Sequence, residues 1–209
     1  MIRIFLWVMF LICAIYPTAR SDSACLQDGK IASRQMKNKQ RDKNLGEEHF
    51  SRANSLHEFP GKANAQAALS EYKLAIEKGY DTVELRIQLG CLLAFRLDQP
   101  GEAVAHFRIG LERDPHNWRI HFPLAQILLQ LQQYQEALKE IKESQRLDKD
   151  GRANGFYFYY LAKAHDGLGE TKEALRYYRL ALKRAKKVEP RSSKVKEITE
   201  RINVLAPRQ

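Results

Sequence analysis

A pattern of small and bulky residues recurs four times along the chain. Each copy begins with a small residue, has a bulky residue four places later and ends with a small residue three places after that. The copies are Ala68, Tyr72 and Ala75; Ala103, Phe107 and Gly110; Ala137, Ile141 and Ser144; and Ala174, Tyr178 and Ala181. Their first residues are 35, 34 and 37 places apart, which is the period of a repeating two-helix unit and not of one long helix.

A second apolar segment precedes each of the last three copies. Its apolar residues recur at intervals of three and four, which is typical of an amphipathic helix. Turn-forming stretches such as "DQPGE" and "RDPHN" separate the segments, so the chain is predicted to form antiparallel helix hairpins. In the middle of each segment a Leu is followed by Gly or Ala: Leu89 and Gly90, Leu124 and Ala125, and Leu161 and Ala162.

The small residues have a physical role in this arrangement. Two helices approach to about 8 Å only where the side chains at their crossing are small. We therefore expect the Gly or Ala of each first helix to face the first residue of the following triplet. The last residue of a triplet, as at Gly110, Ser144 and Ala181, is expected to admit the next hairpin, so that successive hairpins stack.

These motifs resemble the tetratricopeptide repeat family. The resemblance rests on the Leu-Gly/Ala pairs, on Gly169 before a second helix, on the recurring "EA" dipeptides and on the "RDP" that ends at Pro115. It covers residues 45–188 and implies an all-α fold, a right-handed α-solenoid of about four units. The first unit has a longer internal turn than the family's motif. Pro123 departs from the family's motif, and it should either bend its helix or mark the first turn of that helix.

Residues 189–209 are predicted to form a capping helix and a tail. Val195, Ile198, Ile202 and Leu205 share one stripe of a helix that should start near Ser192 or Ser193. Repeat arrays need a terminal element with one polar face, which favours a capping role, and a partner-binding helix is the alternative. In addition, Asp81 followed by Glu84 predicts a capping box at the start of the second unit.

The amino-terminal residues 1–21 predict an export signal. Arg3 precedes an apolar run from Ile4 to Tyr16, which is shorter than the roughly 20 residues that a spanning helix needs. A cleaved signal peptide would send the mature chain across the membrane as a periplasmic or secreted protein. The alternatives are an uncleaved membrane anchor and lipidation of Cys25. Residues 22–44 lack an apolar period and are predicted to be a flexible basic linker.

The net charge of +10 belongs to the ends of the chain. Residues 20–43 contain seven Lys or Arg against three Asp or Glu, and residues 183–209 contain nine against three. Such basic flanks can be solvated tails. The more specific interpretation is that they contact an anionic membrane surface or an acidic partner. Nucleic-acid binding through the same flanks is an alternative, which predicts a steep dependence of affinity on salt.

No motif in the sequence carries recognisable catalytic chemistry. The six histidines have no metal-ligand spacing, and Gly-rich phosphate loops and Ser elbows between glycines are absent. His165 and Asp166 are the best acid-base candidates, but neighbouring residues on a helix point about 100° apart. We therefore expect no enzyme activity, no cofactor, no metal and no small-molecule substrate.

The predicted function is a non-enzymatic scaffold for protein interactions. The resemblance implies that the first helix of each unit lines a concave groove, and that such scaffolds serve envelope assembly, secretion or pilus machinery. An extended or helical apolar segment is expected to lie over Phe122, Tyr159 and Lys163; a clamp for a terminal carboxylate is not expected, because Lys163 alone cannot form one. Alternatively, these side chains pack between hairpins or under the final helix. The groove residues are Ile87, Cys91, Phe95, Phe122, Gln126, Leu129, Tyr159, Lys163 and Asp166.

Overall fold

The computed structural model describes residues 22–149, 154–190 and 192–206. All regular secondary structure in these ranges is α-helical, as the sequence predicts. The helices are α1 (Asp22–Glu58), α2 (Lys62–Glu77), α3 (Val83–Phe95), α4 (Pro100–Arg113), α5 (Trp118–Gln130), α6 (Tyr134–Leu147), α7 (Asn154–Gly167), α8 (Thr171–Val188) and α9 (Ser193–Leu205).

The helices pair into four successive hairpins, α1 with α2, α3 with α4, α5 with α6 and α7 with α8. Each hairpin also packs on the next one, so the chain forms an α-solenoid. Its buried apolar side chains form two clusters, a large one along the hairpins and a smaller one between the fourth hairpin and α9, with Tyr160 and Tyr177 packed against both. The repeated triplets contribute to both clusters, since Ala68, Ala103, Ala137 and Ala174 are all fully buried.

The small residues stand where side chains from other helices come closest. A β-carbon at Gly90 would lie 2.8 Å from the ring of Phe107, so this glycine lets the bulky triplet residue of α4 pack on α3. A β-carbon at Gly110 would lie 2.9 Å from Ile120 of the next hairpin. The prediction that Gly110 admits the neighbouring helix is therefore confirmed.

Ser144 has the same place in the third triplet and adds polar contacts. Its hydroxyl donates a hydrogen bond of 3.3 Å to the carbonyl of Trp118 and lies 3.1 Å from the hydroxyl of Tyr157 in α7. The Tyr157 hydroxyl also donates to Asp148 at 3.2 Å. The third and fourth hairpins are thus joined by a buried polar contact as well as by apolar packing.

The predicted capping box at Asp81 is wrong. Thr82 caps α3, because its hydroxyl oxygen accepts a hydrogen bond of 3.2 Å from the backbone N–H of Leu85. Asp81 instead accepts hydrogen bonds of 2.7 Å from Arg86 and 2.6 Å from Arg113. Burial raises the pKa of this carboxyl, but the hydrogen bonds and charges of the two arginines lower it to about 2.

Pro123 lies in the second turn of α5 and not in its first. Asn117 caps the helix by accepting a hydrogen bond of 3.2 Å from the N–H of Arg119. The proline removes one backbone hydrogen bond from the second turn, yet α5 continues to Gln130.

The interpretation of residues 22–44 as a flexible linker is also wrong, because this segment forms the first part of α1. Lys, Arg, Gln, Met and Ala dominate it, and all of them favour helix formation. Side chains 33–44 are all exposed. The missing apolar period therefore reflects the lack of packing in this part of the helix and not the lack of a helix.

The last helix agrees with its prediction. α9 begins at Ser193, with Val195 and Ile198 buried. Ile202 and Leu205 pack beside them on a cluster that includes Tyr178 of α8. The predicted apolar stripe is therefore the face by which α9 covers the end of the solenoid.

Among the described helices, none is both long and apolar enough to span a membrane. The predicted signal peptide or anchor, residues 1–21, lies outside the described residues, as does the side chain of Cys25.

Replacement of Ala137 by Arg tests the helix register. The substitution places a charge and extra volume at a fully buried position. We expect it to destabilise the fold by about 3 kcal/mol or more, lowering the melting temperature by about 10 °C. Gln135→Arg is the matched control, because Gln135 is exposed two residues earlier on the same helix. Equal melting temperatures for the two variants would contradict the register.

Candidate partner-binding groove

The nine predicted groove residues lie on α3, α5 and α7, but they differ in accessibility. Ile87, Leu129 and Tyr159 are only 5%, 8% and 6% exposed, so they belong to the core or to contacts between helices. Phe95 is 52% exposed, and Lys163 is also exposed. The residues of intermediate exposure are Cys91, Phe122, Gln126 and Asp166.

An aromatic cluster joins α5 to α7 in the middle of this surface. The ring of Phe122 packs edge-on against Tyr157 and against Tyr160, with ring centroids 5.3 Å apart in both pairs. Tyr160 in turn packs edge-on against Tyr159 at 5.1 Å. Phe122 therefore serves the stacking of hairpins and offers only part of its ring to a partner.

An ion pair that the sequence analysis missed spans α3 and α5. Arg119 donates two hydrogen bonds to Glu84, at 2.7 and 3.0 Å. The two residues are 35 places apart, so they occupy the same place in successive units with opposite charge, and this signal could have revealed them.

Cys91 lies close enough to this ion pair for both charges to act on its thiol, in opposite senses. Burial is the larger effect and raises the pKa of the thiol to about 11. The thiol therefore stays protonated at neutral pH and lacks the thiolate that a nucleophile needs.

An open pocket of about 340 Å³ lies where α5 and α7 end. Asp166 inside it accepts two hydrogen bonds of 2.6 Å from Arg201 of α9 and one of 3.1 Å from the hydroxyl of Tyr178. Lys163 is exposed and lines the pocket; its ammonium group lies 5.6 Å from the centroid of the Tyr159 ring and makes no ion pair within the described residues. The lining residues are Leu129, Gln130, Gln132, Tyr134, Lys163, Asp166, Gly167, Tyr178 and Arg201.

Tyr159 is covered by the final helix. Its hydroxyl donates a hydrogen bond to Glu197 of α9, and the ammonium of Lys194 lies 3.7 Å from the centroid of its ring. Burial raises the pKa of Glu197, but the hydrogen bond from Tyr159 and the charge of Lys194 bring it below its ordinary value. The alternative that the sequence left open, packing under the final helix, therefore holds for Tyr159. A substitution there reports first on α9.

The acid-base candidates His165 and Asp166 have separate partners. His165 pairs through Nδ1 with Glu170 and stacks on the ring of Tyr177 at 5.3 Å, whereas Asp166 binds Arg201. In the described part of the chain, no three His, Cys, Asp or Glu side chains come together in a way that could hold a metal ion.

Comparison with known families agrees with the hairpin geometry. Profiles of the tetratricopeptide repeat match residues 94–156 and residues 157–188. Residues 94–188 of the chain belong to the tetratricopeptide repeat family. No curated protein matches it in sequence.

Solved structures of tetratricopeptide repeat (TPR) proteins share the fold. YrrB, described as a TPR protein with an unusual peptide-binding site, is 20% identical, with a TM-score of 0.54 over 66% of this chain and 68% of YrrB. MamA from Desulfovibrio magneticus RS-1 is 18% identical, with a TM-score of 0.54 over 80% and 93%. The type III secretion translocator chaperone SycD of Yersinia enterocolitica is 14% identical, with a TM-score of 0.51 over 63% and 91%. Identities this low show the fold alone.

In this TPR chain, α9 takes the place that the first helix of a fifth unit would have. Phe122 of α5 contacts Tyr160 of α7, and Tyr159 of α7 contacts Glu197 of α9. Both partners in the second contact lie 37 residues after their counterparts in the first. The capping helix therefore repeats the stacking between TPR units and extends one wall of the groove.

Tyr159→Phe tests the attachment of α9. The variant keeps the ring but loses the hydrogen bond to Glu197, and we expect a loss of about 1 kcal/mol because Glu197 is partly exposed to water. Amide hydrogen exchange in α9 should become faster, while exchange in α3 to α6 should not change. Tyr160→Phe is the matched control, because the Tyr160 hydroxyl makes no hydrogen bond within the described ranges. Unchanged exchange in α9 of Tyr159→Phe would show that this hydrogen bond does not hold the helix.

Proposed function

We propose that the chain is a non-enzymatic scaffold that holds an apolar segment of a protein partner, extended or helical, along α3, α5 and α7. The observation that carries this proposal is the exposure of Phe95, which leaves 52% of a large aromatic side chain in water at one end of the groove. Aromatic anchors in grooves supply much of the binding energy in protein interfaces. At the other end, the pocket presents the ammonium group of Lys163.

The middle of the groove offers both apolar and polar contacts. Cys91 and Phe122 present apolar surface, and the protonated thiol of Cys91 behaves as a small apolar group. The side-chain amide of Gln126 makes no hydrogen bond within the described residues, so it can donate to or accept from the backbone of a bound segment. Lys163 would pair with an acidic side chain of the same segment.

Family membership supports this class of function. TPR units are interaction modules and generally not enzymes, which agrees with the absence of a catalytic motif in the sequence. YrrB is described as having a peptide-binding site and SycD as a secretion chaperone, so similar solenoids hold other proteins. These descriptions leave the partner of this chain open.

We also propose that the scaffold acts after export across the membrane, as a periplasmic or secreted protein, in envelope assembly or secretion. The support is the apolar run from Ile4 to Tyr16 in residues 1–21. Sequencing the amino terminus of the mature protein tests this proposal: a start near Asp22 supports cleavage and export, whereas an intact Met1 in a soluble chain contradicts both.

The groove is tested by capturing partners with the wild-type chain from native membrane and soluble fractions, and then measuring the affinity of the purified partner segment. We expect Phe95→Ala to weaken binding at least tenfold, about 1.4 kcal/mol, because an aromatic anchor is lost. Lys163→Ala should also weaken binding, and this loss should shrink at high salt because it is electrostatic.

Leu180→Ala is the control for this experiment. Leu180 is an apolar residue, 37% exposed, on the second helix of the last unit, outside the groove. Its substitution should leave affinity unchanged. Wild-type affinity in both groove variants, or equal weakening in the Leu180 variant, would contradict the groove as the binding site.

A further inference from the structure

The first part of α1 carries a stripe of four cations. Lys30, Arg34, Lys37 and Arg41 follow one another at intervals of four, three and four residues. At about 100° per residue, these intervals place all four side chains within an arc of about 60°. We call these four residues the α1 basic stripe.

The stripe faces away from the solenoid. α1 packs on α2 and the turn after it through Gly46, where a β-carbon would lie 3.0 Å from the carbonyl oxygen of Ala75 and 2.6 Å from Tyr80, and through Ala53, which is fully buried. The helical period places Gly46 about 160° around the helix from Lys30. Side chains 33–44 are all exposed, and on a different face from the stripe Gln35, Asn38, Lys39 and Asp42 line an open cleft with residues 77–79.

The isolated stripe is electrostatically unfavourable. Like charges three or four residues apart destabilise a helix, and the stripe contains three such pairs in succession. None of its four cations makes an ion pair in the ranges that the structure describes. Asp42, the acidic residue nearest to the stripe in sequence, lies about 100° around the helix from Arg41. An anionic surface outside the chain would relieve this repulsion.

We propose that the α1 basic stripe binds the anionic phospholipid headgroups of a membrane surface, with this half of α1 lying along the bilayer. Ile31, which is 50% exposed, lies about 60° around the helix from the nearest edge of the stripe and can reach below the headgroups. Basic helical segments gain affinity for anionic membranes with each Lys or Arg near the surface. This proposal does not depend on the groove.

The position of α1 in the chain favours a membrane over nucleic acid. The apolar run from Ile4 to Tyr16 precedes α1 in sequence, so this segment would hold α1 at a membrane where it is retained as an anchor. Residues 30–44 contain no aromatic side chain on which a base could stack.

A second stripe of the same spacing provides a matched control. Lys172, Arg176, Arg179 and Lys183 lie on the outer face of α8 at intervals of four, three and four residues. All four are exposed, but α8 is packed along its length by Ala174, Tyr178 and Ala181. Charge reversal on the two helices therefore changes net charge equally at two different places.

The experiment measures flotation of the full-length chain with vesicles of phosphatidylcholine alone and of phosphatidylcholine with about one third phosphatidylserine. The readout is the ratio of the two affinities, because binding through the amino-terminal apolar segment contributes equally to both and cancels. We expect the ratio to fall at least tenfold in R34E/R41E and to stay at the wild-type value in R179E/K183E. The neutral variant R34Q/R41Q should fall between wild type and R34E/R41E.

Each outcome decides the proposal. An equal fall in both reversal variants shows attraction by net charge alone and overturns the assignment to α1, as does a ratio that neither variant changes. Displacement of the chain from anionic vesicles by an equal phosphate concentration of a 20-base-pair DNA duplex identifies nucleic acid as the preferred ligand and also overturns it. Circular dichroism controls for folding, and R34E should strengthen the helix because it replaces like charges with opposite ones.

Discussion

The close approach of two helices beside a small residue is the contact on which the whole solenoid depends. Wherever Gly90, Gly110 or Ser144 stands, a bulky residue of another helix fills the space: Phe107, Ile120 or Tyr157. Because each hairpin repeats this contact with the next, the first helices line up along one side of the array. This alignment forms the groove. The chemistry of the groove depends on the side chains that are not used in contacts between the hairpins.

Some of the predicted groove residues are used in contacts with α9 and others are not. The accessible groove therefore contains fewer residues than the sequence predicts. Tyr159 and Asp166 are engaged by α9, through Glu197 and Arg201, whereas Phe95 and Gln126 are not. The Lys163 ammonium lies over the Tyr159 ring and its charge acts on Glu197 of α9, but it makes no ion pair within the described residues. The capping helix thus closes the array by the same contact that joins its units and narrows the proposed partner surface to α3, α5 and the exposed part of α7. A scaffold built in this way holds a partner with residues that contribute little to its own stability.

The sequence was sufficient for the hairpins because their signal is apolar and periodic. The triplets, the stripe of α9 and the role of Gly110 all depend on burial, which a period of 34 to 37 residues makes visible. Polar contacts between distant segments are visible only where both residues follow the repeat period, as Glu84 and Arg119 do. Glu197 lies beyond the residues that carry the repeat motif, so the sequence did not single it out as the partner of Tyr159, and Asp81 binds two arginines where local spacing favoured a helix cap. The first half of α1 lacks an apolar face, so a helix and a linker give the same pattern there.

The central claim is that a partner segment lies along the groove of α3, α5 and α7, and site-specific photo-crosslinking tests it most directly. A photoreactive amino acid replaces Gln126 in the groove, or Lys142 on the exposed face of α6 as the comparison. The account predicts that irradiation in native extracts joins one recurrent partner segment to position 126 and not to position 142. Crosslinking of that partner at position 142 with none at position 126 would contradict it.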